Sequence, residues 1–184
     1  MNATPGQTIG PFFGYALPYE RGHELVSPAD PAAIRLYGTV FDGDGTPVPD
    51  ALIEIRQADA DGVVPTVPGS LRRDGRFTGW GRTAVDAAGD YSFSTVEPGP
   101  TSAGQAPFFA VVVFARGLLD RLFTRVYVPG YDDALAADPL LAGLDDERRS
   151  GLVATRTDDG DLRFDIHLQG PKETVFITFP GHEH

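Results

Sequence analysis

Residues 34–62, IRLYGTVFDGDGTPVPDALIEIRQADADG, constrain the fold of this chain more than any other stretch. Ile34, Leu36, Gly38 and Val40 alternate with Arg35, Tyr37, Thr39 and Phe41. That is the period of two that sets one row of side chains against a core and turns the other outward. Asp42-Gly43-Asp44-Gly45 then supplies turn residues able to take positive φ, and Pro47 and Pro49 keep the return leg extended. From Ala51 to Gln57 the alternation resumes, with Ile53 and Ile55 on one face and Leu52, Glu54 and Arg56 on the other. The pattern predicts a β-hairpin with one buried face.

The rest of the chain follows the same grammar. Tyr91–Val96 alternates after the turn at Asp86–Asp90, Phe108–Ala115 is apolar throughout, as for a strand buried on both faces, and Leu122–Val128 is placed to pair with it. Leu162–Leu168 reads as a half-buried strand, and Val175–Phe179 as one more. Between them, residues 132–153 read as loop and short helix, with Asp145 or Asp146 as cap and Arg148 and Arg149 facing solvent. The 22 Gly and 16 Pro in 184 residues favour turns and strands over long helices, and that length suits one core. The expectation is an all-β sandwich over residues 34–184 behind an N-terminal arm, residues 1–33. Phe12, Phe13, Tyr15, Leu17 and Tyr19 give the arm too much apolar surface for a solvated tail. It either straps its own sandwich or packs on a partner subunit.

Composition removes several functions. A net charge of −11 disfavours nucleic acid and anionic lipid, and zero Cys removes disulfides and thiolate chemistry. No apolar run approaches the roughly 20 residues of a membrane span. With neither a basic region nor a long apolar segment at the N-terminus, a cytoplasmic address is expected. His182 and His184 have chelating spacing but sit in the last residues, His23 has no paired ligand in view, and His167 falls on the polar face of its strand, so it is expected to face solvent.

Several blocks, in order, carry a family resemblance: T-P-x-Q-T-x-G-P-F at Thr4–Phe12, V-x-D-x-x-G-x-P-V at 40–48, E-I-x-Q-A-D-A-x-G at 54–62, and G-R-T-x-x-D-x-x-G-x-Y-x-F at 81–93. F-A-R-G at 114–117 and R-F-D-I-x-x-Q-G at 163–170 continue the series. Together they resemble the intradiol ring-cleavage dioxygenases over almost the whole length, although Arg56 stands where those enzymes usually have Trp. The resemblance implies a sandwich of the intradiol type and a ferric site built from two Tyr and two His. Laid on this chain, the four ligand positions are Val64, Thr101, Phe108 and Ala110, with Phe109 and Val111 as the alternative register for the two His. Gln105 falls where catalytic chains carry an Arg beside the metal. None of these suits Fe(III).

What the resemblance then implies is an iron-free α-type subunit of a heteromeric member. A homologous β subunit would hold the Fe(III), and the substrates would be protocatechuate and O2. Thr8, Ile9, Gly10 and Pro11 of the arm, with Arg116 of F-A-R-G, would help to form the substrate pocket on that partner. Arg116 can equally be a turn residue paired with Asp120 or a surface carboxylate. Outside the resemblance, a non-enzymatic transthyretin-like or carbohydrate-binding sandwich module would account for the fold and the missing ligands. It would not account for the aromatic arm.

Overall fold

Two sheets, each with one apolar face, close on each other in the computed structural model, which describes residues 10, 12–66 and 76–179. A short helix α1 (Phe13–Ala16) precedes β1 (Ile34–Phe41), β2 (Leu52–Arg56), β3 (Trp80–Ala84), β4 (Asp90–Thr95), β5 (Phe108–Phe114) and β6 (Leu122–Tyr127). Three short helices follow, α2 (Asp132–Ala137), α3 (Pro139–Ala142) and α4 (Asp146–Ser150), then the two-residue strands β7 (Thr155–Arg156), β8 (Leu162–Arg163) and β9 (Ile166–His167). One sheet runs β4-β1-β8-β7, with β9 also on β1, and the other runs β3-β2-β5-β6. Leu36, Val40, Tyr91 and Phe93 of the first meet Ile53, Ile55, Phe109, Val111, Val113 and Val126 of the second in the main core. Ring packing and loss of apolar area from water hold this layer together. The expected sandwich is present.

The expected hairpin is not. β1 and β2 lie in different sheets. The turn forms as read: Asp42 N–H donates to Thr46 O at 2.9 Å and Val48 N–H to Val40 O at 2.9 Å. Pro47 and Pro49, with no N–H to give, cannot extend that ladder. Both edges of β1 are already filled, by antiparallel β4 and by parallel β8 and β9. The chain therefore crosses to the second sheet, where β2 pairs with β3 and β5.

Other expectations need similar correction. Phe109, Val111 and Val113 of β5 are buried, but Phe108, Ala110, Val112 and Phe114 are only half-buried, so the strand has one inner and one outer face. Trp80–Ala84 is a full strand whose single Gly and Arg masked its alternation. Leu162–Leu168 breaks into β8 and β9, because the Asp165 carboxylate accepts the Thr39 N–H at 3.0 Å where a continuous strand would use its backbone. Val175–Phe179 forms no regular strand and instead makes isolated bonds to β6, with Thr124 Oγ1 donating to Val175 O and Ile177 N–H to Phe123 O.

The 132–153 segment shows Asp145 capping α4 by accepting the Arg148 N–H at 2.9 Å. Arg149 is not solvent-facing: its guanidinium donates to the carbonyls of Leu141 and Leu144. The helices cover a second, smaller core around Ala106, Tyr127, Leu141, Leu152 and Val175. The described part of the arm lies on its own chain. Phe13 packs against Phe114, Tyr19 stacks on Trp80, and Leu25 enters the main core, while Phe12 and Tyr15 stay 77% and 88% exposed.

His167 does not face solvent as expected. Its ring stacks on Phe41 at 5.0 Å between centroids and is half-buried. Burial lowers its pKa below the ordinary 6.5, with Asp165 opposing that shift and Lys172 adding to it. The unfolded chain therefore takes up this proton first. The stabilising contribution is complete above the unfolded value and is lost as pH falls through the depressed folded value. Urea midpoints measured between about pH 7 and 5 should fall with pH more steeply for the native chain than for His167→Phe, which keeps the stack without the titration. Parallel profiles would remove His167 as the cause.

Candidate functional site

The end of β2 and the start of β5 meet two loops, and this is where the four positions expected to have lost their ligands come together. Gln57, 3% exposed, ends β2 and fixes the junction: its Nε2 donates to Ala58 O at 3.0 Å and Val96 O at 2.8 Å, and its Oε1 accepts from Thr95 Oγ1 at 2.5 Å. The Asp59 carboxylate then accepts the N–H groups of Asp61 and Val63, folding the loop that carries Val64. The Gly99 N–H donates to Asp59 O at 2.8 Å and brings in the loop that carries Thr101. Both glycines are needed. A Cβ on Gly62, which has φ of +81°, would collide with Pro100 O, and one on Gly99 with Ala60 O.

Val64, Thr101, Phe108 and Ala110 accordingly line one pocket of about 170 Å³, together with Arg56, Gln57, Ala58, Gly99, Ala106 and Pro107. Val64 and Phe108 do not fill this place as core: the four positions enclose space. Phe109 and Val111, the alternative register, point into the sandwich core instead. Phe108 is sandwiched from its far side by Arg125, whose guanidinium carbon lies 4.2 Å from the ring centroid.

A ferric ion in this family would need anionic or imidazole donors, and Val, Phe and Ala carry none. The Thr101 hydroxyl donates to Gln105 Oε1 at 2.7 Å, and a neutral hydroxyl is neither an anionic nor an imidazole donor. Among the described residues no group of three or more His, Cys, Asp or Glu could hold a metal. His182 and His184 lie outside the described residues. The nearest phenol, Tyr127, is fully buried, accepts from Arg125 Nη1 at 3.1 Å and donates to Asp138 Oδ1 at 2.9 Å. Burial pushes its pKa up to about 12, with Asp138 reinforcing and Arg125 opposing the shift. A neutral phenol held this way is a structural tie. The residues of this pocket do not fit iron.

A family model described as "Dioxygenase" matches residues 9–170. The chain belongs to the intradiol dioxygenase family. Within the family it is 41% identical to the protocatechuate 3,4-dioxygenase alpha chain of Burkholderia cepacia, over 96% of this chain and 98% of that one. The protocatechuate 3,4-dioxygenase beta chain of the same organism is 31% identical, over 86% of this chain and 74% of that one. Among solved structures, the dioxygenase domain of a dioxygenase carbohydrate-binding protein fusion from Streptomyces sp. SirexAA-E superposes with a TM-score of 0.58 at 24% identity, covering 91% of this chain and 98% of that domain. That likeness concerns the fold. Membership of the family replaces the alternative of a free-standing transthyretin-like or carbohydrate-binding module.

The remaining expected site residues fall elsewhere on this intradiol scaffold. Thr8, Ile9 and Pro11 lie outside the described residues, whereas Gly10 is described, with φ of +78°. Arg116 lies two residues beyond the end of β5, its side chain 68% exposed. Its carboxylate partner is Asp50 at 2.5 Å, not Asp120. Because Phe13 packs on Phe114, the arm and Arg116 share the far end of β5. That end lies about 20 Å along the strand from Phe108. Four residues escaped the sequence reading as parts of a site. Arg56 was visible only as a departure from Trp, and the Arg125–Tyr127–Asp138 chain gave no signal because its members are spread over a strand and a helix cap.

An exposed pair such as Arg116–Asp50 contributes between about 0 and 1 kcal/mol to stability. Arg116→Ala should therefore leave the urea unfolding midpoint of the chain nearly unchanged. A loss above about 2 kcal/mol would mean that the side chain supports the fold rather than a function.

Proposed function

We propose that this chain is the α subunit of a cytoplasmic, heteromeric protocatechuate 3,4-dioxygenase. It would act with a homologous β subunit that holds the Fe(III), and it would bind no iron itself. The assembled enzyme would cleave the bond between the two hydroxylated ring carbons of protocatechuate with O2, giving 3-carboxy-cis,cis-muconate. The observation that carries this reading is that Val64, Thr101, Phe108 and Ala110, the positions that the motif resemblance marks for ligands, line one pocket and bring no anionic or imidazole donor to it. A chain with the family's shape and without its ligands depends on another for the chemistry. The relatives named alpha and beta chains support an assembly of two unlike subunits.

Within that assembly we assign this chain a positioning role through its N-terminal arm, residues 1–33, and Arg116. Phe12 and Tyr15 offer apolar surface beside the end of β5 where the Arg116 cation stands exposed. Thr8, Ile9, Gly10 and Pro11 would line the partner's pocket from the same side, and Arg116 would meet the ring carboxylate. On a chain of net charge −11, an exposed cation near that pocket offsets the repulsion and desolvation that an anionic substrate meets.

Purified alone, the chain should carry well under one iron per molecule by elemental analysis and lack visible absorption. One tightly held iron per chain would overturn the assignment. In the assembled enzyme, Arg116→Ala should raise KM for protocatechuate roughly ten- to a hundredfold, the range of one hydrogen bond to a charged group, with iron content unchanged. Kinetics matching the native enzyme would return Arg116 to its pairing with Asp50.

A further inference from the structure

The pocket whose residues do not fit iron is still shaped to hold something. Its volume is about 170 Å³, and Val64, Ala106, Pro107, Phe108 and Ala110 give it hydrocarbon walls. Cavities of about 150 Å³ with such walls stay dry and take up a benzene-sized ring. One six-membered aromatic ring fits here.

The polar atoms of the lining narrow the choice. Gln57 spends its amide on Ala58, Val96 and Thr95, and Thr101 spends its hydroxyl proton on Gln105, so neither has a proton left to donate to hydroxyl groups on that ring. One charge remains at the rim. Arg56 stands directly opposite Ala110 in the β2–β5 register, which puts both side chains on the same face of the sheet. Its guanidinium donates from Nη2 to Pro65 O at 3.3 Å, and among the described residues no carboxylate pairs with it. A planar cation with unused donors at the mouth of an apolar pocket matches an anionic, planar group attached to the ring.

We infer that this pocket is a binding site for a monocyclic aromatic carboxylate. The ring lies among Val64, Phe108 and Ala110, and the carboxylate rests on Arg56. Ring hydroxyls add little, because the lining offers no carboxylate and no residues that fit a metal to receive them. The site requires neither iron nor a second subunit, so its success or failure is independent of the function proposed above.

The test is a titration of the isolated full-length chain with 4-fluorobenzoate, read by ¹⁹F NMR, with 4-fluorotoluene as the uncharged probe. Saturable binding of 4-fluorobenzoate is expected, displaced equally well by benzoate and by 3,4-dihydroxybenzoate. Arg56→Gln should weaken the carboxylate roughly tenfold or more and leave 4-fluorotoluene within about twofold. Ala110→Leu, which fills the cavity, should abolish binding of both probes. If that variant does not fold, Val64→Phe narrows the same space from the loop side and should do likewise. No saturable binding to the native chain, or affinity unchanged by Arg56→Gln, overturns the site. So does a dihydroxylated ring held at least tenfold more tightly than benzoate.

Discussion

One buried amide ties the two sheets together at the end that matters. Gln57 leaves β2 in one sheet and bonds to Thr95 and Val96 at the end of β4 in the other. An unpaired amide in that position would cost about 1–3 kcal/mol, so its satisfaction by three partners makes the junction specific as well as tight. The loops bearing Val64 and Thr101 are then locked through Asp59 and Gly99. Everything about the pocket depends on this seam. The positions of its walls are set by main chain and amide.

The strands were legible where alternation was regular. β1 and β4 lie where their patterns put them, because in each one face meets the core and the other does not, whereas β6 ends with Val126 in the main core and Tyr127 in the second. Partnership between strands was less legible. The turn at Asp42–Gly45 is present, yet the strands on either side of it separate into different sheets, since pairing is decided by which edges are already occupied. The broken strand at Asp165 and the half-exposed outer face of β5 were hidden for a related reason. A side chain that replaces a backbone partner, or an apolar residue that faces a pocket, looks no different in sequence from one in a regular ladder or a core.

The site shows the same division. That Val64, Thr101, Phe108 and Ala110 belong together was readable from motif order, and they do line a single pocket. That the pocket stays open was not readable, because residue volume alone does not say whether neighbours close in. Arg116 was marked by its motif, but its pairing with Asp50 lies two residues beyond the Leu52–Phe114 pair of β2 and β5, a neighbourhood that no local pattern reports. Arg56 drew notice as an oddity of the motif, and only its position across from Ala110 shows what it faces.

The close approach at Gly62 and Gly99 has a consequence for how such a chain can change over time. Since the cradle is fixed by glycine and amide, substitutions on its walls leave its outline standing, and shape and charge then decide what such a recess can admit.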